Sequence, residues 1–279
     1  MQEKEEAYAK ATFDQVANKY DEIPFFKISA RHVANIIQKH KGTVAVDVLD
    51  VACGTGNVVL ECASSMPKVN FDAMDISVGM LAKAEANAKE TGLENVFFHC
   101  QDITKLETVK KYDVITCSYA LFFLPEAYKV LQTLTGLLKT DAIVIFTSFL
   151  AEAFEPSSEI LLNLLKKYGS NSAKEYDKDK WENLKYVKDI EHLCNLSEVD
   201  IIKLETKEIR YGMDVDEWWE LFNNTGYKGM LIELSSEDYE HVKSEYYEAM
   251  FKHADMDGEV ELIADTFFTV VKAEVLTNT

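Results

Sequence analysis

Val48-Leu-Asp-Val-Ala-Cys-Gly-Thr-Gly-Asn57 decides the fold of this chain. An apolar run carries a carboxylate, Asp50, then breaks into a loop with two glycines, Gly54 and Gly56. A helical pattern follows at once, from Asn57 to Ser65. Strand, glycine turn and helix in that order let a ligand approach backbone closely at the edge of an α/β sheet. A dinucleotide fingerprint would place a third glycine where this chain has Val59, and a β-branched side chain spoils the close helix–strand packing required there. No Lys-Ser or Lys-Thr pair follows the loop, so a phosphate-binding P-loop is excluded. The acid inside the motif disfavours a bound anion and favours a bound cation.

Two more carboxylates fall at corresponding places. Asp75 ends the next apolar run, Val69-Asn-Phe-Asp-Ala-Met-Asp75, about twenty residues beyond the glycine loop, where an acid can accept bonds from both hydroxyls of a ribose. Asp102 ends the third run, Val96-Phe-Phe-His-Cys-Gln-Asp102, where it can accept from an adenine amino group. Ile76 and Ile103 are apolar neighbours for the ring. A fourth run, Tyr112 to Ser118, ends in a small hydroxyl residue placed to meet a methionyl group. Asp50 itself is expected to support the methionine end. S-adenosylmethionine, with an ammonium group, a sulfonium and no phosphate, suits this charge pattern. Asp75 and Asp102 have a structural alternative as helix N-caps.

On these residues the chain resembles the class I S-adenosylmethionine-dependent methyltransferases, and within them the subgroup of ubiquinone/menaquinone-biosynthesis and related small-molecule enzymes. The matching residues are Asp50-Val-Ala-Cys-Gly-Thr-Gly56, Asp75-Ile-Ser77, Met80-Leu-Ala82, Gln101-Asp-Ile103 and Tyr112-Asp-Val114, and the match is good from Phe13 to Phe149. The resemblance implies S-adenosylmethionine as donor and S-adenosylhomocysteine as product. It also implies a seventh strand that is antiparallel, and an N-terminal lid through Phe13-Asp-Gln-Val-Ala-Asn-Lys-Tyr-Asp21 that puts Tyr20 over the sulfonium, by its hydroxyl or by cation–π attraction.

Composition narrows the remaining classes. At 279 residues and 47% hydrophobic, one large domain with a sizeable core is expected. The net charge is −19, and Arg31 and Arg210 are the only arginines, a balance that repels nucleic acid and anionic membranes. The five cysteines, Cys53, Cys62, Cys100, Cys117 and Cys194, include no C-x-x-C pair, so neither a zinc site nor a disulfide framework is indicated, and a reducing cytoplasm is expected. The opening Met-Gln-Glu-Lys-Glu-Glu reads as too acidic for a targeting peptide, and no apolar run approaches a membrane span of ~20 residues.

Strands are expected at 44–51, 69–75, 95–101, 112–118 and 142–149, with helices between them, one of which opens at Pro125. Two helices, 7–21 and 28–40, come first, separated by Pro24. Further on, 169–180 reads as an exposed polar loop, 200–211 as one strand, 236–254 as a helix capped at Ser235 or Ser236, and 266–274 as the last strand. About fifty residues separate the last two strands, far too many for a hairpin, so a helical cap is expected at about 212–264. The expected architecture is a Rossmann-like, doubly wound, seven-stranded α/β sheet in one domain: 1–43 as N-terminal helical lid, 44–150 as cofactor-binding core, and 151–279 completing the sheet and carrying the cap.

Methyl transfer from a sulfonium needs alignment, exclusion of water and, where the acceptor carries a proton, a base. No H-E-x-x-H, no G-x-S-x-G and no histidine cluster occurs, in keeping with chemistry that uses neither a metal nor a covalent nucleophile. The cofactor-binding set is Tyr20, Asp50, Gly54, Gly56, Asp75, Ile76, Asp102, Ile103 and Ser118, and the candidates for a base are Tyr20 and His253. His99 is placed toward the adenine side, and one of Trp218 and Trp219 toward the acceptor, with Tyr119, Phe122, Phe123 and Tyr211 as further lining candidates. A small molecule with an apolar or amine part is the expected acceptor, and a homodimer the candidate assembly. The competing readings are a non-catalytic subunit that binds the same donor or its product to stabilise a partner, and a nucleotide-sugar or NAD-dependent enzyme, against which Val59 and Asp50 speak.

Overall fold

The apolar runs of the first half become neighbouring strands of one sheet in the computed structural model, which describes residues 10–41, 46–106, 108–124 and 126–273. In chain order, α1 (10–16) and α2 (Pro24–Lys41) precede β1 (Asp47–Val51). Next come α3 (Asn57–Ser65), β2 (Asn70–Asp75), α4 (Val78–Glu90), β3 (Val96–Cys100), β4 (Tyr112–Ser118), α5 (Ala127–Gly136) and β5 (Leu138–Phe149). The second half supplies α6 (Ser157–Lys167), α7 (Asn171–Glu175), α8 (Val187–Leu196), β6 (Val199–Lys207) and β7 (Arg210–Asp214). It ends with α9 (Val215–Asn223), α10 (Lys228–Leu231), α11 (Ser236–Met250), β8 (Glu259–Ile263) and β9 (Thr266–Ala273).

The sheet order is β3-β2-β1-β4-β5-β9-β6. The pairs from β3 through β5 are parallel, and β9 runs antiparallel to both β5 and β6. This is the mostly parallel seven-stranded sheet expected from the sequence. β1 is buried on both faces, which is why its sequence does not alternate with polar residues. Val48 packs with Val33 and Ile37 of α2 and Val59 and Cys62 of α3, while Leu49 packs with Leu131 and Leu134 of α5. From β1 the chain winds one way through β2 and β3 and the other way through β4 and β5, so strand order reverses between β1 and β4. Ligands bind at such a reversal, outside the carboxyl ends of the strands.

Several boundaries differ from the expectation. Pro24 does not merely end the first helix. It is the first residue of α2, where its missing N–H costs nothing, so Phe25 and Phe26 become helical and buried. The run at 200–211 is two strands, and Asp265 marks the parting. Its Oδ1 accepts from the Ile209 N–H at 3.0 Å, and its Oδ2 pairs with Arg210 at 2.5 Å, which turns the chain out of the main sheet and into a β7–β8 ladder. Within the stretch 169–180, Glu233 gathers a short helix rather than a loop, accepting from Ser170 Oγ at 2.8 Å and the Ser172 N–H at 3.1 Å while Ala173 is buried. Trp218 and Trp219 are both buried, together with Phe222 and Tyr246, in a core of α6, α9 and α11 that is distinct from the cores under the sheet. Pro125, Gly42 and the residues before 10 lie outside the described residues.

Candidate functional site

The carboxyl ends of β1, β2 and β4, with the turn after β3, surround one continuous crevice. Its larger part is lined by Asp75, Ile76, Gln101, Asp102, Ile103, Phe13 and Phe123 among others. Its smaller part is lined by Asp50, Cys53, Asn57, Ser29 and Phe26 among others. Tyr20, Ala52, Gly54, Ser118 and Tyr119 line both, which makes them the waist.

The backbone at the waist is bent on purpose. Ala52 (φ 51°) and Tyr119 (φ 53°), directly after β1 and β4, both adopt the left-handed region, which costs an L-residue about 1–2 kcal/mol. Gly54 (φ 56°) shares this conformation, and a Cβ there would find only the Tyr20 ring, 4.0 Å away. The space above it is open for a ligand. Gly56 is constrained by packing. It lines neither part of the crevice, and a Cβ there would meet Leu60 at 3.2 Å and Ala84 at 3.3 Å, so it gives α3 a left-handed N-cap and lets α4 come close.

Asp75 is tied down at both oxygens. Oδ2 accepts from the Gly54 N–H and Oδ1 from the Ser77 N–H, each at 2.8 Å. Burial raises its pKa, and these amides oppose the shift. Ser77, not Asp75, caps α4, by accepting from the Met80 N–H. A carboxylate has about four acceptor positions, so capacity for hydroxyl donors remains.

Asp102 does begin a helical turn, accepting at Oδ1 from the Thr104 N–H and hydroxyl, both at 2.8 Å, and pairing at Oδ2 with Lys105 at 3.1 Å. Burial pushes its pKa up, but these partners outweigh burial and leave it below the ordinary carboxylate range.

Asp50 is 2% exposed, and its Oδ1 accepts from Thr116 Oγ1 at 2.6 Å. Burial pushes its pKa up to about 7 against the Thr116 bond. Its Oδ2 and the Ser118 Oγ are buried without a hydrogen-bond partner. Native proteins rarely strand polar atoms in this way, and both residues line the small part of the crevice. Two waiting polar atoms here, and two acids, Asp75 and Asp102, with apolar Ile76 and Ile103 along the larger part, fit a ligand with an ammonium end, a ribose and a flat base. Among the described residues, no lysine, arginine or histidine lines either part.

Tyr20 stacks on Phe26 with ring centroids 4.4 Å apart, and burial together with the nearby Asp75 charge raises its phenol pKa far beyond the usual value. Burial likewise raises Tyr119 to about 12, and its hydroxyl meets Thr266 Oγ1 at 2.8 Å. The remaining candidates scatter. His253 is exposed after α11 and lines neither part of the crevice. His99 pairs with Asp72 at 3.2 Å, away from the adenine side of the crevice. Trp218, Trp219, Tyr211 and Phe122 do not line it either, and both tryptophans are core. Sequence reasoning missed Phe13, Phe26, Ser29 and Asn57. All four come from helices or helix ends whose approach to the crevice is a packing outcome; only Phe13 carried a signal, its place in the Phe13–Asp21 pattern.

The chain is similar to known proteins. A profile of the family described as "Methyltransferase domain" matches residues 43–223. A malonyl-[acyl-carrier protein] O-methyltransferase of Bacillus cereus is 26% identical over 224 residues, covering 78% of this chain and 77% of that protein. A ubiquinone biosynthesis O-methyltransferase of Actinobacillus pleuropneumoniae is 29% identical over 130 residues, covering 45% of this chain and 55% of that protein. The plantazolicin methyltransferase BpumL, solved with S-adenosylhomocysteine, superposes with a TM-score of 0.55 at 14% identity, over 97% of this chain and 95% of that one. With the profile covering most of the chain, the protein belongs to the methyltransferase-domain family and is an S-adenosylmethionine-dependent methyltransferase.

Proposed function

We propose that the chain methylates a small organic acceptor whose nucleophilic atom needs no cationic partner, such as an amine or an uncharged group on an apolar body. The observation that carries this reading is the lining of the crevice: acids, aromatic rings and hydroxyls, and among the described residues no cation. Asp75 is assigned to the ribose, Asp102 with Ile76 and Ile103 to the base, and Asp50, Gly54 and Ser118 to the methionyl end. S-adenosylmethionine supplies a methyl group already activated on a sulfonium sulfur. The protein's own work is then to hold, align and dry the site. Tyr20 and Tyr119 roof the waist, and burial raises both phenol pKa values in the ligand-free chain.

The Bacillus cereus relative acts on a malonyl group, which presents a carboxylate. A buried carboxylate acceptor would call for a cationic partner, and among the described residues none lines either part of the crevice, so a different acceptor is favoured here. We further assign 1–43 to a lid, 44–150 to the donor-binding core, and 151–279 to completion of the sheet with a cap at about 212–264. Among the described residues, no helix is long and apolar enough to cross a membrane. A cytoplasmic location and a homodimer complete the proposal.

Incubation with methyl-labelled donor and a fractionated metabolite extract tests the reading, with malonyl thioester, phenol and amine acceptors as separate arms. Label transferred to an amine or neutral acceptor is expected. Transfer confined to the malonyl arm overturns the acceptor class. Donor binding without transfer to any acceptor favours the inert, partner-stabilising subunit.

A further inference from the structure

The crevice is charged beyond the residues that line it. Asp14 and Asp21 line neither part, yet both are bonded to residues that build its walls. Asp14 Oδ1 accepts from Ser77 Oγ at 2.5 Å and from the Gly79 N–H at 3.0 Å, at the start of α4. Asp21 Oδ1 accepts from the Thr55 hydroxyl and from Asn57 Nδ2 at 3.2 Å, beside the glycine loop, and its Oδ2 from Asn87 Nδ2 at 2.7 Å. Shared residues join these acids to the two inside. Ser77 gives its hydroxyl to Asp14 and its N–H to Asp75, while Asn57, bonded to Asp21, lines the small part together with Asp50.

Four carboxylates therefore gather about one waist, and little positive charge answers them. Among the described residues, their ion pairs are limited to Lys83 Nζ, 4.0 Å from Asp21; Asp14, Asp50 and Asp75 have none. Hydroxyls and amides solvate these acids without cancelling their charge. Asp102, by contrast, is paired with Lys105. The acids act on one another across the crevice. Burial is the main reason that the pKa values of Asp50, Asp75 and Tyr20 are raised, but Asp75 adds to the effect at Asp50 and Tyr20, Asp14 adds to it at Asp75, and Asp21 at Tyr20. Within this field Asp50 Oδ2 is buried without a hydrogen-bond partner, an arrangement that calls for a cation.

Donor and product differ in just this respect. With the ribose at Asp75 and the methionyl end at Asp50, the sulfur that joins them belongs at the waist. In the donor that sulfur is a sulfonium. On transfer it keeps the electron pair of its bond to the methyl carbon and becomes a neutral thioether, so the ligand loses one positive charge and little of its shape. We propose that Asp14 and Asp21 are specificity-determining residues that act through charge rather than contact: with Asp50 and Asp75 they give the crevice a negative potential that favours the cationic donor over the neutral demethylated product. This rests on the donor assignment above. Transfer of the methyl group then weakens the hold on what remains, which works toward product release. Partly buried charges are screened less than surface pairs, so such action reaches beyond hydrogen-bond distance.

Equilibrium titration of the full chain without acceptor tests this with three ligands: S-adenosylmethionine, S-adenosylhomocysteine and sinefungin, which carries an ammonium group in place of the methylated sulfonium. Wild type is compared with Asp14→Asn, Asp21→Asn and Lys83→Gln. The measured quantity is the ratio of donor to product affinity, which a merely structural defect leaves unmoved because the two ligands share their other contacts. Each asparagine variant is expected to lower that ratio at least about threefold, and to lower sinefungin affinity along with that of the donor. Lys83→Gln removes the cation beside Asp21 and is expected to raise the ratio, so the charge role can still fail where an acid variant does not fold. A ratio left unchanged by these substitutions overturns the charge role, as does sinefungin following the product rather than the donor. A wild type that binds none of the three overturns the donor assignment instead, before any variant is compared.

Discussion

Replacing Asp75 by asparagine separates the ribose from the loop. The carboxylate accepts two backbone amides, from Gly54 and Ser77, both at 2.8 Å. An asparagine keeps the shape but has only one carbonyl oxygen, so it satisfies one amide and turns an NH₂ toward the other. One charge-assisted bond in the protein is lost, and the bonds assigned to the ribose weaken from charged to neutral. Hydrogen bonds to charged groups contribute about 1.5–3 kcal/mol, so donor affinity should fall by about 10- to 150-fold. The burial that raises the Asp75 pKa works the other way on stability, because a neutral amide is easier to bury than a charge. The ligand-free protein should therefore lose less stability than the complex loses affinity. Calorimetric titration with S-adenosylhomocysteine, paired with thermal denaturation without ligand, measures both. Affinity within about twofold of wild type, about 0.4 kcal/mol, would refute the ribose assignment.

Three further outcomes follow from the same geometry. Gly54→Ala places a methyl in the open space above the loop at φ 56° and adds about 1–2 kcal/mol of strain, so donor binding should fall by tenfold or more in the same titration. The Asp50 carboxyl, raised to about 7, keeps its proton in the folded chain after the unfolded chain has released it, so ligand-free stability falls as pH rises from about 4 toward 7, by up to about 4 kcal/mol. A cationic ligand end prefers the ionised form, so S-adenosylhomocysteine affinity should rise through the same region, and Asp50→Asn should flatten both profiles. Trp218→Ala opens a cavity in the α9–α11 core and strands the Val260 carbonyl, which accepts from the indole N–H at 3.2 Å; unfolding free energy should drop by about 3–5 kcal/mol in a denaturant titration.

The local run of apolar, acidic and glycine residues determined the sheet and the donor. β1 is buried on both faces, and a chain of that pattern, repeated with helices between, has few other ways to bury itself. The acids at Asp50, Asp75 and Asp102 were legible because in parallel strands the carboxyl ends all point to one edge, whatever the details of packing.

What the tertiary structure alone decided is which distant side chains arrive there. Gly56 carries the same motif signature as Gly54, yet only its packing against Leu60 and Ala84 shows what a side chain there would meet. Trp218 and Trp219 are adjacent, and their sequence could not say that both faces of α9 are covered, one by Val260 and the other by Tyr239, Tyr246 and Tyr247. Asp14 accepts from the Ser77 hydroxyl across 63 residues of sequence, and Asp21 from the Asn87 amide across 66. Sequence periodicity reports the faces of single elements; contacts over such separations depend on where whole elements pack, and that information appears only once the chain has folded.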